Sequence, residues 1–278
     1  MSNDEHRLEI PLEELHQSSQ GGKGESKGCL IRHRIEDIPR TPGHHCSHQW
    51  MALKQAESAD RALYNYPAYR SLELGTSPEQ YFATAARVGK KGIFPRGHSL
   101  SQTRPRKREW DVGRGQNFKH YLKPYWHNAH HLVPNGTLNG SINDAGNDDP
   151  SGRVSYLIRA GLLLGEYNLN DKSNMMILPM GAAVANALGL PRHLNNDEGG
   201  PKQFFNHPDY NTRVKDLIGP VIDRYKALVK REKDHPKPPD KLSKESLISI
   251  SETIRSTIKA LSKRELIAND SLDSVFGK

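Results

Sequence analysis

The 278-residue chain contains little cysteine and little apolar sequence. Its only two cysteines, Cys29 and Cys46, cannot form a disulfide framework. Hydrophobic residues make up 35% of the chain and aromatic residues 7%, and no uninterrupted apolar run is long enough to span a bilayer. Residues 1–7 lack the basic and apolar regions of a secretory signal, so we expect no signal peptide. The low apolar content predicts a packed core flanked by loosely packed segments.

The chain has an excess of positive charge, concentrated in one segment. Forty Lys and Arg against 32 Asp and Glu give a formal charge of +8, which alone selects no partner among nucleic acids, membrane surfaces and acidic proteins. Residues 87–123 hold eleven of these cations and two acids, a net of +9. This basic segment is either a solvated face or a track for a phosphate backbone. Its candidate phosphate-binding residues are Arg104, Arg106, Lys107, Arg108, Arg114, Lys119 and Lys123, and the aromatic residues available for base stacking are Trp110, Phe118, Tyr121, Tyr125 and Trp126.

Periodic apolar residues predict several helices. Helical spacing occurs over residues 50–64, over Val154–Leu164, from Pro208 to about Lys233 and over Leu247–Leu261. The last helix either packs back on the body or binds a partner. Ser77-Pro-Glu-Gln80 is a capping box that predicts a further helix through Ala86. Residues 135–152 are rich in Gly, Asn and Asp and predict a long loop.

Composition also predicts a linear domain organisation. Residues 18–28 are small and polar, as linkers are, so residues 1–30 are expected to be a flexible leader. Residues 31–109 are expected to form an N-terminal region for delivery, docking or regulation. The chemistry is expected in residues 110–233, and residues 234–278 are a Pro-rich linker followed by the amphipathic helix.

Three motifs place polar side chains where a metal ion could bind. The first is Ala129-His130-His131; tandem histidines leaving a strand direct one imidazole to each side of the backbone. The second is Asn174, which precedes the apolar strand ending at Pro179. The third is His207-Pro-Asp-Tyr-Asn211, in which His207 and Asn211 are four residues apart on one helical face and can reach one ion. Asn174 could equally be a simple turn residue.

Taken in this order, the three motifs resemble the AHH family of the HNH/endonuclease VII superfamily over roughly residues 110–230. The resemblance implies an α+β, mainly helical fold with a small treble-clef, ββα-metal nuclease core. It implies that His131 activates water, that His130, His207 and Asn211 hold a divalent ion, and that Asn174 braces the loop and orients the base. His193 stays open as a ligand, a phosphate contact or a loop residue. His127 is expected to be a strand residue near the site, and Tyr210 to be a packing residue at the helix start.

The same resemblance implies a function and its partners. It predicts a metal-dependent endonuclease acting on DNA, or on RNA, of the bacterial polymorphic-toxin type, with an immunity protein as partner. Such a toxin would be made in the bacterial cytoplasm and exported by dedicated machinery such as type VI secretion, with no membrane partner. Mg²⁺, Mn²⁺, Zn²⁺ and Ni²⁺ all suit the implied donors. Two other classes are a non-catalytic, zinc-stabilised nucleic-acid-binding protein and an interaction module that uses the C-terminal helix.

A second group of potential ligands lies upstream. It consists of residue types that bind zinc, namely Cys29, His33, His44, His45, Cys46 and His48. Adjacent ligands point apart, however, and the chain has no Cys-x-x-Cys knuckle. The spacing therefore argues against zinc and favours a polar loop with a free thiol.

Overall fold

A computed structural model describes the chain at residues 11–18, 28–33, 44–66, 68–70, 106–119, 123–193, 207–231, 240–261 and 271–276. Over these residues the protein is mixed α+β, with mostly helical elements and a two-stranded sheet. The helices are α1 (Leu12–Ser18), α2 (His48–Ser58), α3 (Arg61–Tyr64), α4 (Asn135–Ala145), α5 (Arg153–Leu164), α6 (Ala182–Leu188), α7 (Pro208–Lys230), α8 (Glu245–Ala260) and α9 (Leu272–Phe276), and the strands are β1 (His127–His131) and β2 (Met175–Pro179).

The chain forms two compact units, each assembled from separated stretches of sequence. The first unit comprises residues 1–51, 131–175 and 214–254, and the second comprises residues 52–130, 176–213 and 255–278. This division differs from the linear succession of leader, N-terminal region, catalytic region and tail that composition suggests. Segments close in sequence therefore contribute to different cores.

Strands β1 and β2 pair in antiparallel orientation. At one end the amide of Leu132 donates to the carbonyl of Asn174, and at the other the amide of Met180 donates to the carbonyl of Trp126. These two bonds fix a register in which His130 lies opposite Met176. Every residue of β2 is buried, which explains its uniformly apolar sequence Met-Met-Ile-Leu-Pro.

The connection between the strands contains α4 and α5. The long loop predicted over residues 135–152 was wrong, because Asn135–Ala145 form α4. Leu138, Ile142 and Ala145 are buried at helical spacing, so burial of this face outweighs the weak helix propensity of the Asn and Gly residues around it. The predicted helix Val154–Leu164 is confirmed as α5, with the amide of Gly165 bonded to the carbonyl of Gly161 at its end.

The two long C-terminal helices have the predicted amphipathic character. In α7 the buried residues Val214, Ile218 and Ile222 follow one face, and Pro220 lies within the helix. In α8 the buried residues Leu247, Ser251, Ile254 and Ile258 follow one face. The apolar face of α8 is therefore packed against the protein, which is the first of the two alternatives for this helix.

The described residues of the leader belong to the core of the first unit. Helix α1 packs against α5, and Leu15, Cys29 and Leu30 are buried. The amide of Cys29 donates to the carbonyl of Tyr167, and the carbonyl of Cys29 accepts from the amide of Leu169. A Cβ atom added at Gly28 would lie 2.5 Å from the carbonyl oxygen of Leu163, so only glycine permits this approach. These contacts are not those of a flexible leader.

No helix among the described residues has both the length and the apolar character needed to cross a bilayer. The capping box at Ser77–Gln80 lies outside the described residues.

A buried carboxylate anchors α8 in the second unit. Asp60, whose side chain is 1% exposed, lies 2.8 Å from Nζ of Lys259 and 3.6 Å from Nε of Arg255, which is itself almost buried. Because removal of one charge leaves its partner buried without that counter-ion, we predict that Asp60→Asn lowers the free energy of unfolding by about 3 kcal/mol. Urea denaturation measures this loss. Glu252→Gln, on the exposed face of α8, is the matched control, and equal midpoints for the two variants would contradict the prediction.

Candidate metal centres

Three histidines from distant parts of the chain converge in the second unit. One ligand nitrogen from each of His130, His193 and His207 lies within 4.8 Å of the others. His130 is in β1, and His207 immediately precedes α7. His193 is held at the end of β2, because its amide donates to the carbonyl of Pro179. We call these three residues the histidine cluster.

The imidazoles of the histidine cluster are buried and in contact. Nε2 of His193 lies 3.1 Å from Nδ1 of His130. The ring centroids of His193 and His207 are 4.7 Å apart, and those of His130 and His207 are 5.4 Å apart. Tyr210 is fully buried with its ring 5.1 Å from that of His130, which agrees with the predicted packing role.

This geometry suits a divalent transition metal. Three imidazole nitrogens with a remaining open position form the donor set of many catalytic zinc sites. The described members of the cluster include no carboxylate, and imidazole donors favour Zn²⁺ and Ni²⁺ over Mg²⁺, which prefers oxygen. The sequence motifs predict His130 and His207 as ligands, and the structure places His193, for which three roles are open, beside them.

Asn211 lies one helical turn beyond His207. Its amide donates to the carbonyl of His207 over 2.8 Å, and its side-chain Oδ1 is buried. The predicted common face of these two residues is therefore present at the start of α7. Coordination of the metal by Asn211 stays a prediction.

His131 belongs to the first unit, where Asn170 contacts it. Nε2 of His131 lies 2.9 Å from Oδ1 of Asn170, whose amide nitrogen donates to the carbonyl of Ile31 and to Sγ of Cys29. Because Oδ1 can only accept, Nε2 carries the hydrogen and Nδ1 carries the lone pair. Burial lowers the pKa of His131 to about 4, although the bond to Asn170 opposes the shift. The imidazole is therefore neutral at neutral pH.

Asn174, which was predicted to brace the loop and orient the base, bonds the backbone after β1. Its Oδ1 accepts from the amide of Val133 and from Oγ of Ser251, and its Nδ2 donates to the carbonyls of Val133 and Leu169. These bonds fix the chain just after β1, as expected of a brace. The contact with His131 comes from Asn170, four residues earlier, which the sequence motif did not identify.

His127 is buried in β1, as expected of a strand residue. Its Nδ1 donates to the carbonyl of Tyr125 over 2.8 Å, and its ring packs 5.1 Å from that of Phe118. These contacts give His127 a structural environment in the second unit.

A second group of donors converges in the first unit. One ligand atom from each of His16, Cys29, His33 and Cys46 lies within 4.8 Å of the others. The thiols of Cys29 and Cys46 are free, as expected, and the fold brings them together with two histidines that are far apart in sequence. No sequence motif indicated His16, which lies on α1, and His44, His45 and His48 are outside the four-residue group. His48 instead packs with its ring 5.7 Å from that of His131.

The described cations of the basic segment are exposed. They lie on the surface of the second unit and are Arg106, Lys107, Arg108, Arg114, Lys119 and Lys123. Arg104 lies outside the described residues. The proposed stacking aromatics do not share this exposure. Trp110, Phe118, Tyr125 and Trp126 are buried, and the rings of Trp110 and Phe118 both pack against that of Tyr125. These four side chains are not exposed for base stacking, and Tyr121 lies outside the described residues.

No family model, curated protein or solved structure matches this chain. The relationship to the AHH family therefore stays a proposal based on the order of its motifs.

The start of α7 depends on a carboxylate from α9. Oδ1 of Asp273 accepts from the amides of Asp209 and Tyr210, which are N-terminal donors of the helix, at 2.8 and 3.0 Å. We predict that Asp273→Ala lowers the free energy of unfolding by about 1 kcal/mol, the usual effect of losing a helix cap. It should also weaken metal binding at the histidine cluster, because His207 directly precedes these amides.

Chemical denaturation and zinc titration measure the two effects. Asp273→Asn, which keeps an accepting oxygen, should restore most of both properties. Asp216→Ala, at an exposed position within α7, serves as the control. Similar behaviour of Asp273→Ala and Asp216→Ala would refute the capping role.

Proposed function

We propose that the protein is a divalent-metal-dependent endonuclease that hydrolyses phosphodiester bonds of DNA. The observation that carries the proposal is the convergence of His130, His193 and His207, since two of these residues come from the motifs that resemble the AHH family. A buried donor set with an open position is what metal-assisted hydrolysis needs. We further infer that β1, β2 and the start of α7 form a ββα-metal arrangement.

In this proposal the histidine cluster holds the ion, with Asn211 as a further ligand. The ion would neutralise a phosphate oxygen and stabilise the departing oxygen of the scissile bond. The absence of a carboxylate among the described members favours Zn²⁺ or Ni²⁺ over Mg²⁺ or Mn²⁺. Tyr210 would support His130 by packing against its ring.

His131 is the proposed general base. It directly follows the ligand His130 in β1, and Asn170 leaves the lone pair on Nδ1. Nδ1 would accept the proton of the attacking water, and Asn170 would hold the resulting imidazolium through its hydrogen bond to Nε2. Asn174 would act only through the backbone after β1, as a positioning residue.

The exposed cations of residues 106–123 are the proposed phosphate track. They would bind nucleic acid through its backbone, and such contacts carry no base sequence. The buried aromatic side chains of Trp110, Phe118 and Tyr125 would stabilise this surface and would not stack on bases.

The biological role follows from the family resemblance alone. We propose an antibacterial toxin that is exported by dedicated machinery and neutralised in its producer by an immunity protein. An acidic protein that binds this chain and blocks cleavage would support that role.

Substitution of the proposed base should abolish cleavage. We predict that His131→Ala reduces the rate on supercoiled plasmid by at least about 100-fold, the usual contribution of a general base. The assay compares Zn²⁺, Ni²⁺, Mn²⁺ and Mg²⁺, with a structured RNA as second substrate. His45→Ala, a histidine outside both donor groups, should cleave normally. Intact plasmid under every metal, or full activity of His131→Ala, would exclude the proposal.

The phosphate track predicts a change in salt dependence. Replacing Arg106, Lys107 and Arg108 by alanine should lower DNA affinity and reduce the slope of log affinity against log salt by up to about 3, because each phosphate contact contributes about 0.9. Fluorescence anisotropy at several salt concentrations measures the slope. Replacement of the exposed cations Arg224, Arg231 and Lys241 of the first unit is the charge-matched control. Equal slopes for the two triple variants would argue against a track.

The main alternative is a non-catalytic, zinc-stabilised nucleic-acid-binding protein. The group of two cysteines and two histidines in the first unit favours this alternative, because two Cys and two His ligands are typical of structural zinc sites. The two functions differ at the histidine cluster, where a catalytic site exchanges its metal and a closed structural site retains it. An interaction module based on α8 is less favoured, because its apolar face is already buried.

A further inference from the structure

We infer that the first unit contains a structural zinc site, distinct from the histidine cluster, formed by His16, Cys29, His33 and Cys46. These residues are supplied by α1, by the segment at residues 28–33 and by the turn before α2. Neither the three sequence motifs nor the proposed nuclease chemistry uses them. The site does not depend on the nuclease proposal.

The distances among the four donors are close to those of a tetrahedral site. Sγ of Cys29 lies 3.3 Å from Nε2 of His33, and Sγ of Cys46 lies 3.7 Å from Nε2 of His16. Donors around tetrahedral zinc are about 3.3–3.8 Å apart, given Zn–S bonds of about 2.3 Å and Zn–N bonds of about 2.0 Å. Since all four donors already lie within 4.8 Å of one another, closure around an ion needs shifts of only about 1 Å.

The chemistry of the donors selects zinc. Two thiols and two imidazoles make up one of the standard structural zinc sets, and no carboxylate belongs to the group. Cys29 and Cys46 are both buried and not joined by a disulfide.

The surroundings hold the ligands as an outer shell does in metal sites. Nδ2 of Asn170 donates to Sγ of Cys29 over 3.3 Å, a contact suited to a metal-bound thiolate. The backbone of Cys29 is paired with Tyr167 and Leu169, and the rings of His16 and His33 stack with centroids 5.1 Å apart. The packing of α1 against α5 brings His16 to the other donors.

A structural ion also explains how residues 11–18 and 28–33 are held in the core of the first unit. A short helix and a short extended segment from a polar region contribute only a few apolar side chains, among them Leu15 and Leu30, to the core. This small apolar area provides little stabilisation. A metal ion that crosslinks residues 16, 29, 33 and 46 would provide the remainder.

Metal analysis of the full-length protein tests the site. Protein purified without a metal-affinity tag should contain zinc, and Cys46→Ala should contain about one zinc per chain less. Cys46→His, which restores a ligand, should recover that zinc, and His45→Ala should keep it. Zinc content unchanged by Cys46→Ala would overturn the proposal.

Cobalt substitution of the otherwise unaltered chain gives a test that does not require Cys46→Ala to fold. Cobalt-loaded protein should show thiolate-to-cobalt charge-transfer absorption, which imidazole ligands alone do not give. The band should persist when His130, His193 and His207 are all replaced by alanine, and this separates the zinc site from the nuclease centre. Absence of the band, or a Cys29–Cys46 disulfide in freshly purified protein, would refute the site.

Discussion

Backbone hydrogen bonds between β1 and β2 join residues 126–132 to residues 174–180, across a connection that contains two α-helices. This pairing gives His130 and His131 a fixed backbone. The end of β2 then provides the carbonyl of Pro179 that holds His193, so two members of the histidine cluster depend on the same small sheet. The third, His207, depends on the amides capped by Asp273. A short sheet and one helix start thus organise the candidate centre.

Much of the helical structure could be predicted, because burial of one face imposes a period on the sequence. Helices α5, α7 and α8 follow that rule. Helix α4 was missed, since its Asn and Gly residues mask the buried face formed by Leu138, Ile142 and Ala145. Composition describes local preference, whereas the burial of α4 is decided by tertiary contacts with α5.

The candidate site was predictable only where its residues form local motifs. His130 and His207 were found because their neighbours carry a recognisable pattern. His193 has no such pattern, and its position is set by a backbone bond to β2. His16 was missed for the same reason, since its partners lie in other segments. The motif predicts that Asn174 contacts His131, but Asn170 makes this contact, and only the three-dimensional structure distinguishes the two asparagines.

The position of His16 on α1 has a consequence for anyone who shortens this chain. Composition predicts a flexible leader over residues 1–30, and a truncation at residue 31 would be a natural choice. That truncation would remove two of the four clustered donors, His16 and Cys29, together with the buried residues Leu15 and Leu30. It would also remove Sγ of Cys29, which accepts a hydrogen bond from Asn170. That bond helps to orient the side-chain amide of Asn170 that contacts His131. Fusion partners or tags are therefore better placed ahead of residue 11 than in place of the leader.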